Sequence, residues 1–128
     1  MVERFGSGAP WEQSFSYSRA VRAGDFVLVA GTAAVDEDGV VRAPGDAAGQ
    51  VHAALDVIEQ ALARAGASME QVVQTRMYVT DIGRAGEIGR AHGDRFRGID
   101  PVTSMVQVAA LIDPRMLVEI EAVAYVGA

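Results

Sequence analysis

Two carboxylates stand two residues apart in Val118-Glu119-Ile120-Glu121-Ala122, and they are the residues of this chain best suited to chemistry. On a strand, positions two apart share a face, so the pair would lie side by side. Like charges held together away from water raise the proton affinity of one of them. A carboxylate in that state can serve as the general base for attack by water. The alternative is that each meets solvent or an arginine of a neighbouring subunit. The chain has no lysine, so every fixed positive side chain is an arginine, a planar fork suited to carboxylates and phosphates. Arg19 and Arg76 fall in strand-like segments and are the candidates to hold an anionic ligand group. His92 lies on the apolar stripe of a predicted helix, where a core or interface role competes with a ligand-binding one. His52 flanks another helix and reads as solvated.

Other chemistries find no support in the sequence. There is no cysteine, hence no thiolate nucleophile and no sulfur metal site. Two isolated histidines do not form a metal-ligand cluster, and neither a phosphate-binding loop nor a nucleophile elbow occurs. No metal and no cofactor are expected. A net charge of −6 disfavours nucleic acid and anionic membrane surfaces as partners. No apolar run approaches spanning length and no signal-peptide layout opens the chain, so a cytoplasmic protein is expected.

The elements that must position these residues follow from periodicity. At 128 residues the chain reads as a single domain, 1–128, with residues 1–13 an irregular lead-in around Gly6, Gly8 and Pro10. Alternation from Phe15 to Val21 predicts a strand, and Gly24-Asp25 turns it into a second strand over Phe26–Ala30. Val40-Val41 predicts a short edge piece. Asp46 is placed to cap a helix running to about Ala65, with Val51, Leu55, Ile58 and Leu62 as its buried stripe and Gly66 as its stop. Val72–Thr80 reads as a strand and residues 84–97 as a second helix. That helix carries Gly86, Gly89 and Gly93, each costing about 1 kcal/mol against alanine, for which close approach to a sheet is one explanation. Thr103–Ala110 and Leu117–Tyr125 are the final strands. The class is α+β, a six-stranded mixed sheet with two helices on one face. The uncovered face is expected to show Thr103, Met105 and Gln107 beside Glu119, Glu121, Val123 and Tyr125, and such a face marks self-association.

Four segments resemble the YjgF/RidA family of small enamine/imine deaminases: Tyr17-Ser18-Arg19-Ala20-Val21; Val29-Ala30-Gly31-Thr32; Ala65-Gly66-Ala67-Ser68 with Tyr78-Val79-Thr80-Asp81; and Pro101–Val108 with Val118–Ala124. The resemblance implies a chorismate-mutase-like fold and a homotrimer with clefts at the subunit interfaces. It implies a cleft in which Tyr17 and Glu119 act on substrate and water while Gly31 lets backbone approach the ligand. It also implies an arginine, gripping the substrate carboxylate, two residues after a proline; here that position is Thr103. Met105 takes the place of a smaller residue, and Gly89 stands at a helical asparagine position. The chain thus resembles the branch of the family without the arginine. Two functions follow as expectations: a small-metabolite-binding protein that hydrolyses an enamine, imine or related intermediate, or a non-catalytic small-molecule-binding or chaperone-like trimer. Some relatives are described as ribonucleases, but this acidic chain offers no basic patch with aromatic stacking partners.

Overall fold

One central strand, Val118–Tyr125, organises the computed structural model of residues 1–128. It alternates buried Val118, Ile120, Ala122 and Ala124 with outward Glu119, Glu121, Val123 and Tyr125, as its sequence alternation requires. The strands are β1 Val2–Phe5, β2 Ala20–Ala23, β3 Phe26–Ala33, β4 Val72–Val79, β5 Val102–Gln107 and β6 Val118–Tyr125. They form one six-stranded sheet in the order β1-β2-β3-β6-β4-β5. All neighbours are antiparallel except β4 and β5. The helices are α1 Pro10–Phe15, α2 Ala47–Arg64 and α3 Ala85–Phe96.

The two long helices cover one face. In α2 the predicted stripe of Val51, Leu55, Ile58 and Leu62 is fully buried. The Asp46 side chain accepts from Gly49 N at 2.9 Å at its start, a cap worth about 1 kcal/mol. Gly66, at φ +83°, takes the left-handed conformation just beyond its end. Ile88, Ala91, His92 and Phe96 are the buried residues of α3. Its glycines do not serve close approach to the sheet: a Cβ built at Gly89 meets nothing within 4 Å, and those at Gly86 and Gly93 meet only arginine side chains. That explanation fails because the buried side of α3 is made by its large residues.

Three sequence expectations are corrected. The lead-in over 1–13 is not irregular: Val2–Phe5 pairs antiparallel with β2, and Pro10 opens α1 at its first turn. An edge strand takes its order from backbone pairing, so the exposed β1 side chains carry no alternation signal. The strand expected from Phe15 begins only at Ala20, because α1 runs to Phe15 and Ser16 leaves it at φ +61°. Val40-Val41 makes a single bridge, Val35 to Val41, and β1 supplies the sixth strand instead.

A fourth correction concerns β5. Thr103 pairs with Thr75 and Met105 with Met77, both buried toward the helices, so Thr103 and Met105 lie on the helix side. Val102, Ser104 and Val106 share the uncovered face with Arg76 and Tyr78 of β4 and with Glu119 and Glu121 of β6. A shift of one residue exchanges the two faces of a strand. On this edge strand both faces carry apolar residues, leaving the phase unmarked.

Candidate functional site

Glu119 and Glu121 share a face, but the structure gives them different surroundings. Glu121 Oε1 accepts from Arg76 Nη1 at 3.0 Å and from Tyr78 OH at 2.8 Å, both side chains of β4 in its own chain. Its charge is answered. Glu119 makes no ion pair and is half-buried at the wall of an open cleft of about 1140 Å³. Burial raises its pKa above the usual carboxylate value; nearby Arg19 opposes the rise and the charge of Glu121 adds to it. A carboxylate with raised proton affinity and free lone pairs facing solvent space is equipped to exchange protons with a bound molecule.

Gly31 makes room for it. The β3–β6 register slips between Val29 and Thr32, so Ala30 and Gly31 both stand opposite Glu121. Such a bulge bends the strand and re-aims its neighbours. A Cβ built on Gly31 would collide with the Glu119 carboxylate, lying 3.0 Å from its carboxyl carbon. The hydrogen at that position is what lets the acid fold back over β3.

The opposite wall comes from the segment between α1 and β2. Arg19 is buried at 8% exposure and every part of its guanidinium is engaged. Nε donates to Glu12 at 3.3 Å, Nη1 to Gly31 O and to Thr32 Oγ1 at 2.9 Å each, and Nη2 to Tyr17 OH at 3.3 Å. The guanidinium carbon also lies 5.6 Å from the centroid of the Tyr17 ring. Arg19 therefore locks three cleft elements together. Burial works most strongly on Glu12, against its charge, but the Ser7 hydroxyl and N–H together with Arg19 outweigh it and hold its pKa below the usual value.

Gln50 shapes the far rim. Fully buried in α2, it donates to Arg115 O at 2.9 Å and accepts from Leu117 N at 2.8 Å, pinning the loop that carries Ile112 and Met116. Those two line the cleft with Trp11, Phe15, Val57 and Arg64.

Of the sequence candidates, Tyr17, Arg19, Gly31 and Glu119 come together on this cleft. Arg76 lies on the uncovered face as the partner of Glu121. Thr103, Met105 and His92 lie across the sheet, where Met105 packs on the core and His92 hydrogen-bonds Thr75. Thr103 does not line the Glu119 cleft of its own chain. Trp11, Arg64, Ile112 and Met116 were not singled out from sequence. Pro10 ahead of Trp11 is a helix-start signal that could have pointed to the first of them.

The family model for Endoribonuclease L-PSP matches residues 9–126. An uncharacterized protein of Streptomyces coelicolor is 41% identical over 127 residues, spanning 99% of this chain and 94% of that one. A crystal structure from Mycobacterium tuberculosis, a member of the YjgF/YER057c/UK114 family, is 50% identical with a TM-score of 0.88, covering 98% of this chain and all of that one. A conserved Rid family protein from Yersinia pestis is 27% identical with a TM-score of 0.85, covering 98% of this chain and 100% of the other.

Proposed function

Because this chain belongs to the Endoribonuclease L-PSP family, the YjgF/Rid proteins, we propose that it binds a small metabolite in the Glu119 cleft and hydrolyses an enamine or imine there. The observation that carries this reading is the contrast between the two carboxylates. Glu121 is neutralised by its own chain, while Glu119 faces the cleft unpaired with its proton affinity raised. In the reaction, water attacks the iminium carbon and gives a proton to Glu119. That proton passes to the carbinolamine nitrogen, and the C–N bond breaks as the hydroxyl gives its own proton back to Glu119 and becomes the carbonyl, releasing ammonia and a carbonyl compound before Glu119 loses the proton to solvent. Tyr17 OH, held by Arg19, orients the water or the substrate. No cofactor takes part.

The working unit is a homotrimer, assembled through the uncovered sheet. Phe26, Leu28 and Tyr125 lie side by side on that face and Val106 lies on its edge strand, each 40–47% exposed, apolar area of the kind that marks association. In this arrangement β5 of one subunit closes the cleft of the next and brings Thr103 to it, at the position where the resemblance implies an arginine in the deaminase members of the family. A hydroxyl replaces a charged fork there, and the pocket favours anionic substrates less. Met105 follows Thr103 along the same side of β5, while Arg76 lies on the uncovered face between subunits.

An endoribonuclease activity is not the reading we adopt. Phosphate tracks need clustered cations, whereas this cleft sets only Arg19 and Arg64 against Asp36, Glu37 and Glu119, and the chain carries −6. No helix is long and apolar enough to cross a membrane, and we assign the protein to the cytoplasm.

The test is ammonia release from imines generated in situ from several amino acids. Wild type should accelerate release and Glu119→Gln should not. Thr103→Arg should shift preference toward 2-iminoacids. If wild type and Glu119→Gln behave alike on every imine, catalysis is absent and the cleft belongs to a non-catalytic binder. A single stable subunit in sedimentation would remove the shared cleft.

A further inference from the structure

A row of hydrogen-bonding groups runs from the buried side of α3 to the edge of the sheet, apart from the cleft. His92, 8% exposed, stacks on Phe96 with ring centroids 4.6 Å apart. Its Nε2 lies 2.8 Å from Thr75 Oγ1 on β4. Thr75 is 1% exposed, and its hydroxyl lies 2.8 Å from Thr103 Oγ1 on β5. Thr103 itself is exposed. Three elements thus contribute one group each to a continuous line from interior to surface.

Each hydroxyl holds one hydrogen, so the polarity of the whole line is set once Thr75 is the donor to Thr103. Toward His92, Thr75 can then only accept, and His92 must present Nε2–H. Burial lowers the histidine pKa, which keeps the ring neutral. The Thr103 oxygen is occupied from within, so its own hydrogen points outward. Hydrogen bonds in series polarise one another, making this hydroxyl a better and better-aimed donor than an isolated one.

We propose that Thr103 is the terminal donor of a His92–Thr75–Thr103 relay that selects ligands presenting a neutral acceptor, such as an amide or ketone carbonyl oxygen, over ligands presenting a carboxylate. The proposal rests on the reading above in which β5 closes the neighbouring cleft. His92 and Thr75 are positioning residues: they never touch the ligand, but they fix which way the Thr103 hydrogen points. A carboxylate would also accept that hydrogen. However, it would have to shed its hydration opposite a relay with no positive charge, in a cleft where Asp36, Glu37 and Glu119 outnumber Arg19 and Arg64 and the Arg19 guanidinium is already engaged.

The experiment compares two isosteric probes, 2-oxobutanamide and 2-oxobutanoate, titrated by calorimetry into wild type, Thr75→Val, Thr103→Val and Thr103→Ser. Long-range ¹H–¹⁵N spectra of the His92 ring are recorded alongside. Wild type should bind the amide about tenfold tighter than the acid, the range of one good hydrogen bond. Thr103→Ser should keep that ratio, while Thr75→Val and Thr103→Val should bring it near unity. The ring should carry its proton on Nε2 and respond to Thr75→Val. The proposal is overturned if the acid binds wild type as tightly as the amide, if neither probe binds, if Thr75→Val leaves the ratio unchanged, or if Nε2 is bare. Failure of the trimer reading is separable from failure of the relay. A monomer whose His92 Nε2–H still responds to Thr75→Val refutes the shared cleft, whereas an intact trimer with a bare Nε2 refutes the relay.

Discussion

The Glu119 carboxylate occupies the space that any side chain on Gly31 would fill, with its carboxyl carbon 3.0 Å from the ideal Cβ position. The bulge in β3 and the acid of β6 are therefore one device, and disturbing either should be felt at the other.

Gly31→Ala forces the carboxylate away from its seat. Imine hydrolysis should fall about 100-fold, as misplacement of a reacting group by about 1 Å does. Far-ultraviolet circular dichroism should be unchanged. Ammonia release at saturating substrate checks this, and retention of full activity would refute the coupling.

Glu119→Gln should abolish hydrolysis while raising stability at neutral pH. With its folded pKa above the unfolded value of 4.5, Glu119 binds more protons folded than unfolded between the two. Its cost is absent below 4.5, grows as pH rises through that window, and is complete above the folded value. The variant should melt about 2 °C higher at pH 7 and match wild type at pH 4, as thermal scans at the two pH values would reveal.

Arg19→Met leaves Glu12 buried without its cation and should cost about 3 kcal/mol of folding stability, measured from the denaturant midpoint. Glu12→Gln tests the same pair from the other side. Its folded pKa lies below 4.5, so the stabilisation of wild type by this carboxylate is fully present above 4.5 and lost as pH falls through the folded value. The gap between wild type and Glu12→Gln should close in acid.

Gly89→Ala should stabilise the protein by about 1 kcal/mol, since the new methyl group meets open space and α3 gains helix propensity. Urea unfolding would show it. Destabilisation would mean that α3 packs against something at that point.

Where burial wrote a period into the sequence, the fold could be read. The stripe of α2 and the alternation of β6 are both consequences of one buried and one open side, and they place Glu119 outward without ambiguity. Gly31 and Tyr17 were legible through a family resemblance, whereas the reason for the glycine, the path of the Glu119 side chain, needed coordinates. What escaped was held by other forces. Val2–Phe5 is ordered by backbone pairing to β2, and the α1 segment by the burial of Glu12 against Ser7 and Arg19, contacts between residues whose types suggest surface. The phase of β5 was lost because Val102 and Val106 on one side balance Met105 on the other. The row from His92 to Thr103 joins residues 17 and 28 positions apart, a separation that carries no local signature.

Glu119 belongs to a strand flanked on both sides, with Gly31 beneath it, while Thr103 sits exposed on the edge strand with Thr75 against its inner side. Replacement at the first position must be answered by neighbours on several sides; replacement at the second meets Thr75 alone. A lineage built on this scaffold is thereby free to drift in what it admits while the acid that would do the work is inherited unchanged, so diversity should accumulate at the margin of the β-layer before it reaches the middle.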